Sequence, residues 1–566
     1  MKIRLEKKNK RIALICTFLS IFILGTILIF TIPVSVKSTY GLWAHTSDGV
    51  DISYNVFEPA GREGETKPVV IIGHGFMANK EIMKGYAIEM AVAGFIAVVL
   101  DFRGHGLSSG IIDNSLLIND LNAVIGKITE RADVDGNNFG YLGYSMGGFP
   151  GNEIINISTN FKCFIGVGTS LYPTVRNGTS ANHLNVLMIQ ARFDEANPME
   201  LLKSRVGERM GLGGPADPNK LYGCFTDGNA TMIYLDDNTD HLLLTWDQDF
   251  IRTARNWVSS TFPEITALDE NFYVNVRGLI LLLQCFGGIG FFFLIIEPLS
   301  NIIVKKKEED KYVIELRELS MKTIGIKTLA YVLGLSLVGM IFVIPLFLFI
   351  PLSTIGVMSL LLFGSAFALL LMFWRISKKT EISIKSMLKG VIKRRKGQLL
   401  KESIFGGIIF TILFLVLLLS IGLNYFAIVP YYIKLFWAIP YFLVFFFLFI
   451  MVGLISNVII QPRFTNDIKG TIKVGLLTST LMTTYFIVYI LVFSMISGNY
   501  FFILTFFIAV PLNLLSGLVS AILYQKTGNI IAGSIVSTIL YVVMLTTLSP
   551  TISGLNMLIM FMTLSI

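Results

Sequence analysis

The chain has 566 residues, 53% of them hydrophobic, and a formal net charge of +8. The apolar fraction exceeds the ordinary globular range and points to a membrane protein, in which a basic excess marks cytoplasmic loops rather than a nucleic-acid surface. Four cysteines without a C-x-x-C, and five histidines confined to the first half, leave no zinc or haem pattern and give the second half no imidazole chemistry.

Residues 1–11 are rich in Lys and Arg, and an apolar run continues from Ile12 to Val34. At about twenty residues it is long enough to span a bilayer. It reads as an uncleaved anchor. The rival, a cleavable signal peptide, needs a shorter apolar region and a small-residue cleavage site. The basic flank keeps the N-terminus in the cytoplasm and sends the segment after the anchor outside.

Residues 38–270 have soluble composition. A hairpin over Leu42–Phe57 precedes strands at Val69–Gly73, Ile96–Asp101, Phe139–Gly143, Phe164–Gly168, Val186–Ala191 and Met232–Leu235. Helical patterns lie at Lys80–Ala93, Ser115–Arg131, Met146–Asn156, Met199–Met210 and Asp247–Ser260. Strand–helix alternation predicts a mostly parallel sheet flanked by helices, with its chemistry on loops at the carboxyl ends of strands. Residues 271–566 form an all-α, multi-span transmembrane domain. Apolar spans fall near 277–297, 325–350, 353–374, 405–425, 435–460, 474–497, 501–524 and 529–548, and 551–566 is either a further short span or an interfacial segment. Basic clusters at Lys305–Lys307, Arg375–Lys401 (including Lys393-Arg394-Arg395-Lys396), Arg463–Lys473 and Lys526 all fall on the cytoplasmic side of this topology. The alternate loops Pro351–Ser353, Ala427–Ile433 and Ser497–Tyr500 are nearly uncharged. The arrangement predicts a multi-pass protein of the cell membrane with residues 38–270 extracytoplasmic.

Gly143-Tyr144-Ser145-Met146-Gly147 is a G-x-S-x-G between a strand and a helix pattern. A serine on so sharp a turn holds its hydroxyl clear of the backbone, and small neighbours let strand and helix approach. Ser145 is the candidate nucleophile. Over residues 40–260 the chain resembles the α/β hydrolases, in the style of serine aminopeptidase and esterase-like members with little or no cap. His74-Gly75-Phe76-Met77 resembles the family's HG loop, which implies an oxyanion site from the backbone N–H groups of Phe76 and Met146. Asp101-Phe102-Arg103-Gly104-His105-Gly106-Leu107-Ser108-Ser109-Gly110 resembles the D-x-R-G-H-G-x-S-x-G loop, structural in relatives. Asp194 stands in a match to G-x-x-D-x-x-x-P, with Ala191 replacing the usual Gly, and Glu195 is the neighbouring alternative acid. His241, in Asp240-His241-Leu242, resembles the family's D-H loop; Asp240 is a loop or pocket residue, and His183 precedes a strand where the fold does not bring it to the serine. The order Ser145, Asp194, His241 is that of the family's triad. Only a loop, Ser170–Asn185, occupies the place of a cap, so the site is open. The Gly/Pro/Asp-rich stretch Gly211–Asp227 is a rim loop.

From Phe405 onward the one acidic residue is Asp467, and this scarcity argues against a proton-coupled transporter or an intramembrane metalloprotease. Asn424, Asn457 and Asn513 either line a groove or hydrogen-bond between helices. The expected activity is hydrolysis of an acyl ester or peptide bond through an acyl-enzyme. The substrate is a small acyl, lipid-linked or peptide molecule; the lipid bilayer is a partner and nucleic acid is not; no metal or organic cofactor takes part. The alternatives are an acyltransferase with the same triad and a non-catalytic ligand-binding domain of a membrane sensor or transport protein.

Overall fold

The computed structural model describes all residues except 1, 63, 308–310, 316–319, 379–382, 394, 498–502, 504–505 and 565–566. Arg394 of the basic run and most of the expected Ser497–Tyr500 loop lie outside the described residues. The chain divides into two compact units. One comprises Phe22–Cys285 together with Leu418–Tyr431; the other comprises Met1–Ile21, Phe286–Leu417 and Tyr432–Ile566.

The first unit is built on eight strands: β1 (Val36–His45), β2 (Asp51–Pro59), β3 (Lys67–Gly73), β4 (Ile96–Leu100), β5 (Val134–Tyr144), β6 (Phe161–Val167), β7 (Asn185–Phe193) and β8 (Thr231–Asp240). Their order is β1-β2-β4-β3-β5-β6-β7-β8. The β1–β2 hairpin and the β2–β4 pair are antiparallel, and every other neighbour is parallel. Parallel strands need crossover connections, usually helical. After helix α1 (Lys2–Thr31), the crossover helices are α2 (Lys84–Val92), α3 (Leu117–Thr129), α4 (Gly148–Ile157) and α5 (Met199–Arg209); β6 and β7 are joined without a helix, and α6 (Gln248–Thr261) follows β8. The central strands are apolar on both faces: Val70, Ile72, Leu142, Ile165 and Leu187 pack on one with Tyr86, Met90, Phe250 and Val258, and Val69, Ile71, Tyr141, Phe164 and Val186 are buried on the other. The helix expected from Lys80 begins instead as a tight turn, Lys80–Met83, capped by the Asn79 side chain, with α2 next in the chain. No helix interrupts 168–184, the connection that occupies the place of a cap. The Gly/Pro/Asp-rich stretch runs along the last strand: Asn219 and Tyr222 exchange hydrogen bonds with Ile233, Leu235 and Thr231, which occupies the outer edge of β8.

Leu418–Tyr431, between two apolar helices in sequence, also packs into this unit. Lys84 Nζ donates to Leu423 O at 2.9 Å and to Asn424 Oδ1 at 3.2 Å, and lies 4.6 Å from the centre of the Tyr40 ring. Burial lowers the Lys84 pKa to about 7, with Glu81 opposing the shift. Ala427 N donates to Asn79 Oδ1 at 3.1 Å. All four cysteines are free thiols.

The second unit is helical. Among the described residues, nine helices of the chain are long and apolar enough to cross a membrane: Lys8–Thr31, Val274–Ile303, Met321–Met340, Ser353–Ser377, Gln398–Gly422, Ile439–Arg463, Ile468–Val492, Phe506–Thr527 and Ile531–Leu548. The span expected over 325–350 is corrected. Its helix stops at Met340, and a separate short helix runs Ile344–Phe349, because Pro345 has no N–H to continue the ladder and is suited to a helix's first turn. A helix, Ile384–Ile392, stands in the basic stretch that was expected to be loop, and Gly554–Leu564 is helical. Several polar groups here are paired. Glu402 accepts from Asn529 Nδ2 at 2.6 Å, Glu297 pairs with Arg11 and Lys526, and Asn513 joins Thr483 and Tyr541 on neighbouring helices. Asn457 bonds within its own helix, to Gln461.

The loop after β4 is held by buried charge. Arg103, 2% exposed, donates Nη2 to Asp120 at 2.7 Å and Nη1 to Asp48 at 2.7 Å. Removing the cation leaves the buried Asp120 carboxylate uncompensated. Arg103→Ala is expected to cost about 3–5 kcal/mol, read by pulse proteolysis of the full chain across a urea series.

Candidate active site

β5 ends at Tyr144, and Ser145 comes next with φ of +51°, a left-handed conformation costly for a residue with a Cβ. Glycines make the turn fit. A Cβ on Gly143 would meet Gly147 O at 2.4 Å, and one on Gly147 would meet Gly73 O at 2.6 Å. The turn is therefore pressed against the end of β3, its neighbour in the sheet.

The structure brings Ser145, His241 and Asp194 together. His241 Nε2 lies 3.0 Å from Ser145 Oγ. Its Nδ1 lies 2.9 Å and 3.0 Å from the two Asp194 oxygens. The His241 and Asp194 side chains are buried, 2% and 0% exposed. With Nδ1 facing a carboxylate, the proton belongs on Nδ1, which leaves Nε2 as the acceptor facing the hydroxyl. Asp194 is itself oriented: its Oδ1 accepts from Ala196 N at 2.9 Å and Asn197 N at 3.0 Å. The backbone of His241 is fixed by Tyr144 OH, which donates to its carbonyl at 3.0 Å. Asp240 shapes the same turn by accepting from Leu242 N and Leu243 N.

Phe76 and Met146 each follow a residue at this turn. Met146 is the next residue in the turn Ser145–Gly147. Phe76 comes after Gly75, where an added Cβ would lie 3.0 Å from Ser145 Cβ. His74 anchors that loop: its Nδ1 donates to Gly75 O at 2.7 Å and its Nε2 accepts from Phe102 N at 3.1 Å. Asp101 ties it further, accepting from Lys80 N, Lys80 Nζ and Leu107 N. Burial raises the Asp101 pKa, and Lys80, His74 and the Leu107 N–H together outweigh it, so the carboxyl is held below its ordinary value. His105 packs edge-to-face on His74 and Phe76, with ring centres 5.1 Å and 5.9 Å away, and belongs to this loop packing. Glu195 is exposed beside the buried Asp194 side chain. His183 packs on Gly228, away from this cluster.

Two residues of the site were not singled out from sequence. Gly168, after β6, has φ of +54°, and a Cβ there would meet Leu244 Cδ1 at 2.7 Å, Asp194 Oδ2 at 3.1 Å and His241 Cε1 at 3.1 Å. Asn197 links the acid's turn to two strand ends, with Nδ2 donating to Gln190 Oε1 at 2.9 Å and Thr169 O at 3.1 Å. Its place three residues after Asp194, before Pro198, was the available signal. Among the described residues, the acidic group closest to a metal-ligand arrangement is Asp236, Asp247 and Asp249, with oxygens within 4.8 Å of one another; Asp247 caps α6.

Residues 64–200 match the serine aminopeptidase family, S33. No curated protein matches the chain in sequence. Among solved structures, the Pyrococcus furiosus esterase Pf2001 is similar over 40% of this chain and 94% of its own, at 14% identity and a TM-score of 0.31. The structure of DcsB with its substrate analogue is similar over 41% of this chain and 100% of its own, at 14% identity and a TM-score of 0.32. The esterase from Exiguobacterium antarcticum is similar over 39% of this chain and 100% of its own, at 16% identity and a TM-score of 0.29. The matched residues and the sheet that contains them give the N-terminal part of this chain the α/β-hydrolase fold, similar to the serine aminopeptidases.

Proposed function

We propose that the chain is a multi-pass membrane protein whose hydrolase domain, residues 38–270, cleaves an acyl ester or peptide bond with Ser145 as nucleophile. One observation carries this reading: Ser145 Oγ, His241 Nε2, His241 Nδ1 and Asp194 form one continuous hydrogen-bonded line, with steps of 3.0 Å and 2.9 Å. His241 Nε2 takes the Ser145 proton as Oγ attacks the carbonyl carbon. The carbonyl oxygen becomes an oxyanion facing the N–H groups of Phe76 and Met146. Collapse expels the alcohol or amine, which leaves with the proton from His241 Nε2. Water then gives a proton to His241, attacks the acyl-enzyme and releases the acid, returning Ser145 to its hydroxyl form. Asp194 holds the ring in the tautomer this needs and stabilises its charged form. A small acyl, lipid-linked or peptide substrate fits a site without a cap. Nine apolar helices support the membrane assignment, and the basic clusters between them support an extracytoplasmic hydrolase domain.

The direct test labels intact cells with a membrane-impermeant fluorophosphonate. Wild type is expected to label and Ser145→Ala not to. Labelling only after lysis would reverse the orientation and keep the enzyme. Absence of labelling in folded protein would remove the hydrolase reading. Asp194→Asn is expected to lower turnover of an acyl ester by about four orders of magnitude, the cost of holding such a histidine in the wrong tautomer. Gly168→Ala is expected to leave the chain folded and lower the labelling rate about a hundredfold, because the new methyl displaces the His241–Asp194 pair. Turnover that appears only with an added alcohol or amine acceptor would assign acyl transfer in place of hydrolysis.

A further inference from the structure

A cleft of about 450 Å³ lies apart from Ser145 and is lined by Lys37, Glu58, Arg62, Lys67, Arg131 and Asp133. Lys37 pairs with Glu58 at the start of β1, and Lys67 pairs with Val134 at the start of β5. The cleft is therefore at the amino end of the parallel strands, whereas Ser145 stands just past the carboxyl end of β5. The strand's length puts roughly 30 Å between them.

Among the described residues, four cations and two carboxylates line the cleft. The carboxylates are already committed. Glu58 binds Lys37 at 3.2 Å and also Arg131, and Asp133 binds Arg131 Nε at 2.9 Å and Nη2 at 2.7 Å. The other two cations are positioned by backbone carbonyls. Lys67, 5% exposed, donates to Arg62 O at 2.6 Å and Glu65 O at 2.8 Å. Arg62 donates to Thr266 O at 2.8 Å and Ala267 O at 3.5 Å. An ammonium has three N–H donors and a guanidinium five, so both keep donors for a ligand. The volume suits a small polar molecule.

The cleft is also close in sequence to the ends of two apolar helices. Lys37 comes six residues after Thr31, the end of α1, a chain reach of at most about 20 Å. Thr266 and Ala267, which hold Arg62, precede the apolar helix that begins at Val274. We propose that this cleft binds a phosphate-bearing anion, supplied by the headgroup of an acidic phospholipid. The lipid source rests on the proposed membrane function; the preference for a phosphate anion rests on the cleft alone.

The test uses the full chain in neutral detergent and isothermal titration calorimetry with dioctanoyl phosphatidylglycerol, dioctanoyl phosphatidylcholine, glycerol phosphate and inorganic phosphate. Saturable binding of the phosphatidylglycerol, preferred over phosphatidylcholine, is expected. Lys37→Ala and Arg62→Gln are each expected to weaken it about fivefold. Lys37, 61% exposed, is the variant least able to disturb the fold. Glycerol phosphate or inorganic phosphate binding as tightly as the lipid, with the same sensitivity to both variants, would keep the anion site and replace its source. Equal binding of both lipids, or binding indifferent to Lys37→Ala, would reduce the cleft to an internal ion-pair network and overturn the proposal. Release of the chain from membranes by an alkaline carbonate wash would defeat the membrane reading separately, whatever the calorimetry gives.

Discussion

The left-handed backbone at Ser145 is the constraint on which the site depends. A residue with a Cβ held there costs on the order of 1–3 kcal/mol and persists only where the surroundings over-determine it. Here the surroundings are the ends of β3 and β5, side by side in the sheet, with Gly143 and Gly147 leaving room for no side chain. The same squeeze brings Gly75 against Ser145, so the loop carrying Phe76 and the turn carrying Met146 meet at one residue. Loosening β3 from β5 would relax the turn and part these loops together.

Rigidity on the other side of the serine comes from polar groups. Asp194 and His241 stand after different strands, β7 and β8, and each needs its own brace. Asn197 supplies one through Gln190 and Thr169 O; Tyr144, the residue before Ser145, supplies the other through the carbonyl of His241. Buried polar groups that are fully paired specify one geometry, and a half-paired set is costly. The Asp48–Arg103–Asp120 and Lys80–Asp101 pairs do the same for the loop beneath the HG turn.

Much of this was legible in the residues. The G-x-S-x-G between strand and helix, Asp194 before Pro198 and the Asp240-His241 pair occur in the order the fold requires, and the structure sets their side chains within hydrogen-bonding distance. Alternating apolar runs located the sheet because parallel strands covered on both faces read as continuous apolar segments. The ends were less legible: β5 begins at Val134 because Lys67 pairs with it, a partner choice no local pattern encodes. Pro345 breaks a run that hydropathy alone joins, since apolarity reports burial and not backbone hydrogen bonding. Gly168 looked like any strand-end glycine until its φ and its neighbours were known. The bonds of Lys84 and Asn79 to Leu423, Asn424 and Ala427 cross more than three hundred residues of sequence, beyond the reach of any periodicity.

That long-range closure bears on the order of synthesis. A ribosome that has released Cys285 has made the whole sheet, yet Leu418–Tyr431 is still to come, behind the apolar helices that run from Val274 to Gly422. Until then the Lys84 ammonium lacks its carbonyl partner and Asn79 its backbone donor. The unit whose sheet is made first in the chain is thus finished late, by a segment that follows apolar helices carrying none of the residues gathered at Ser145.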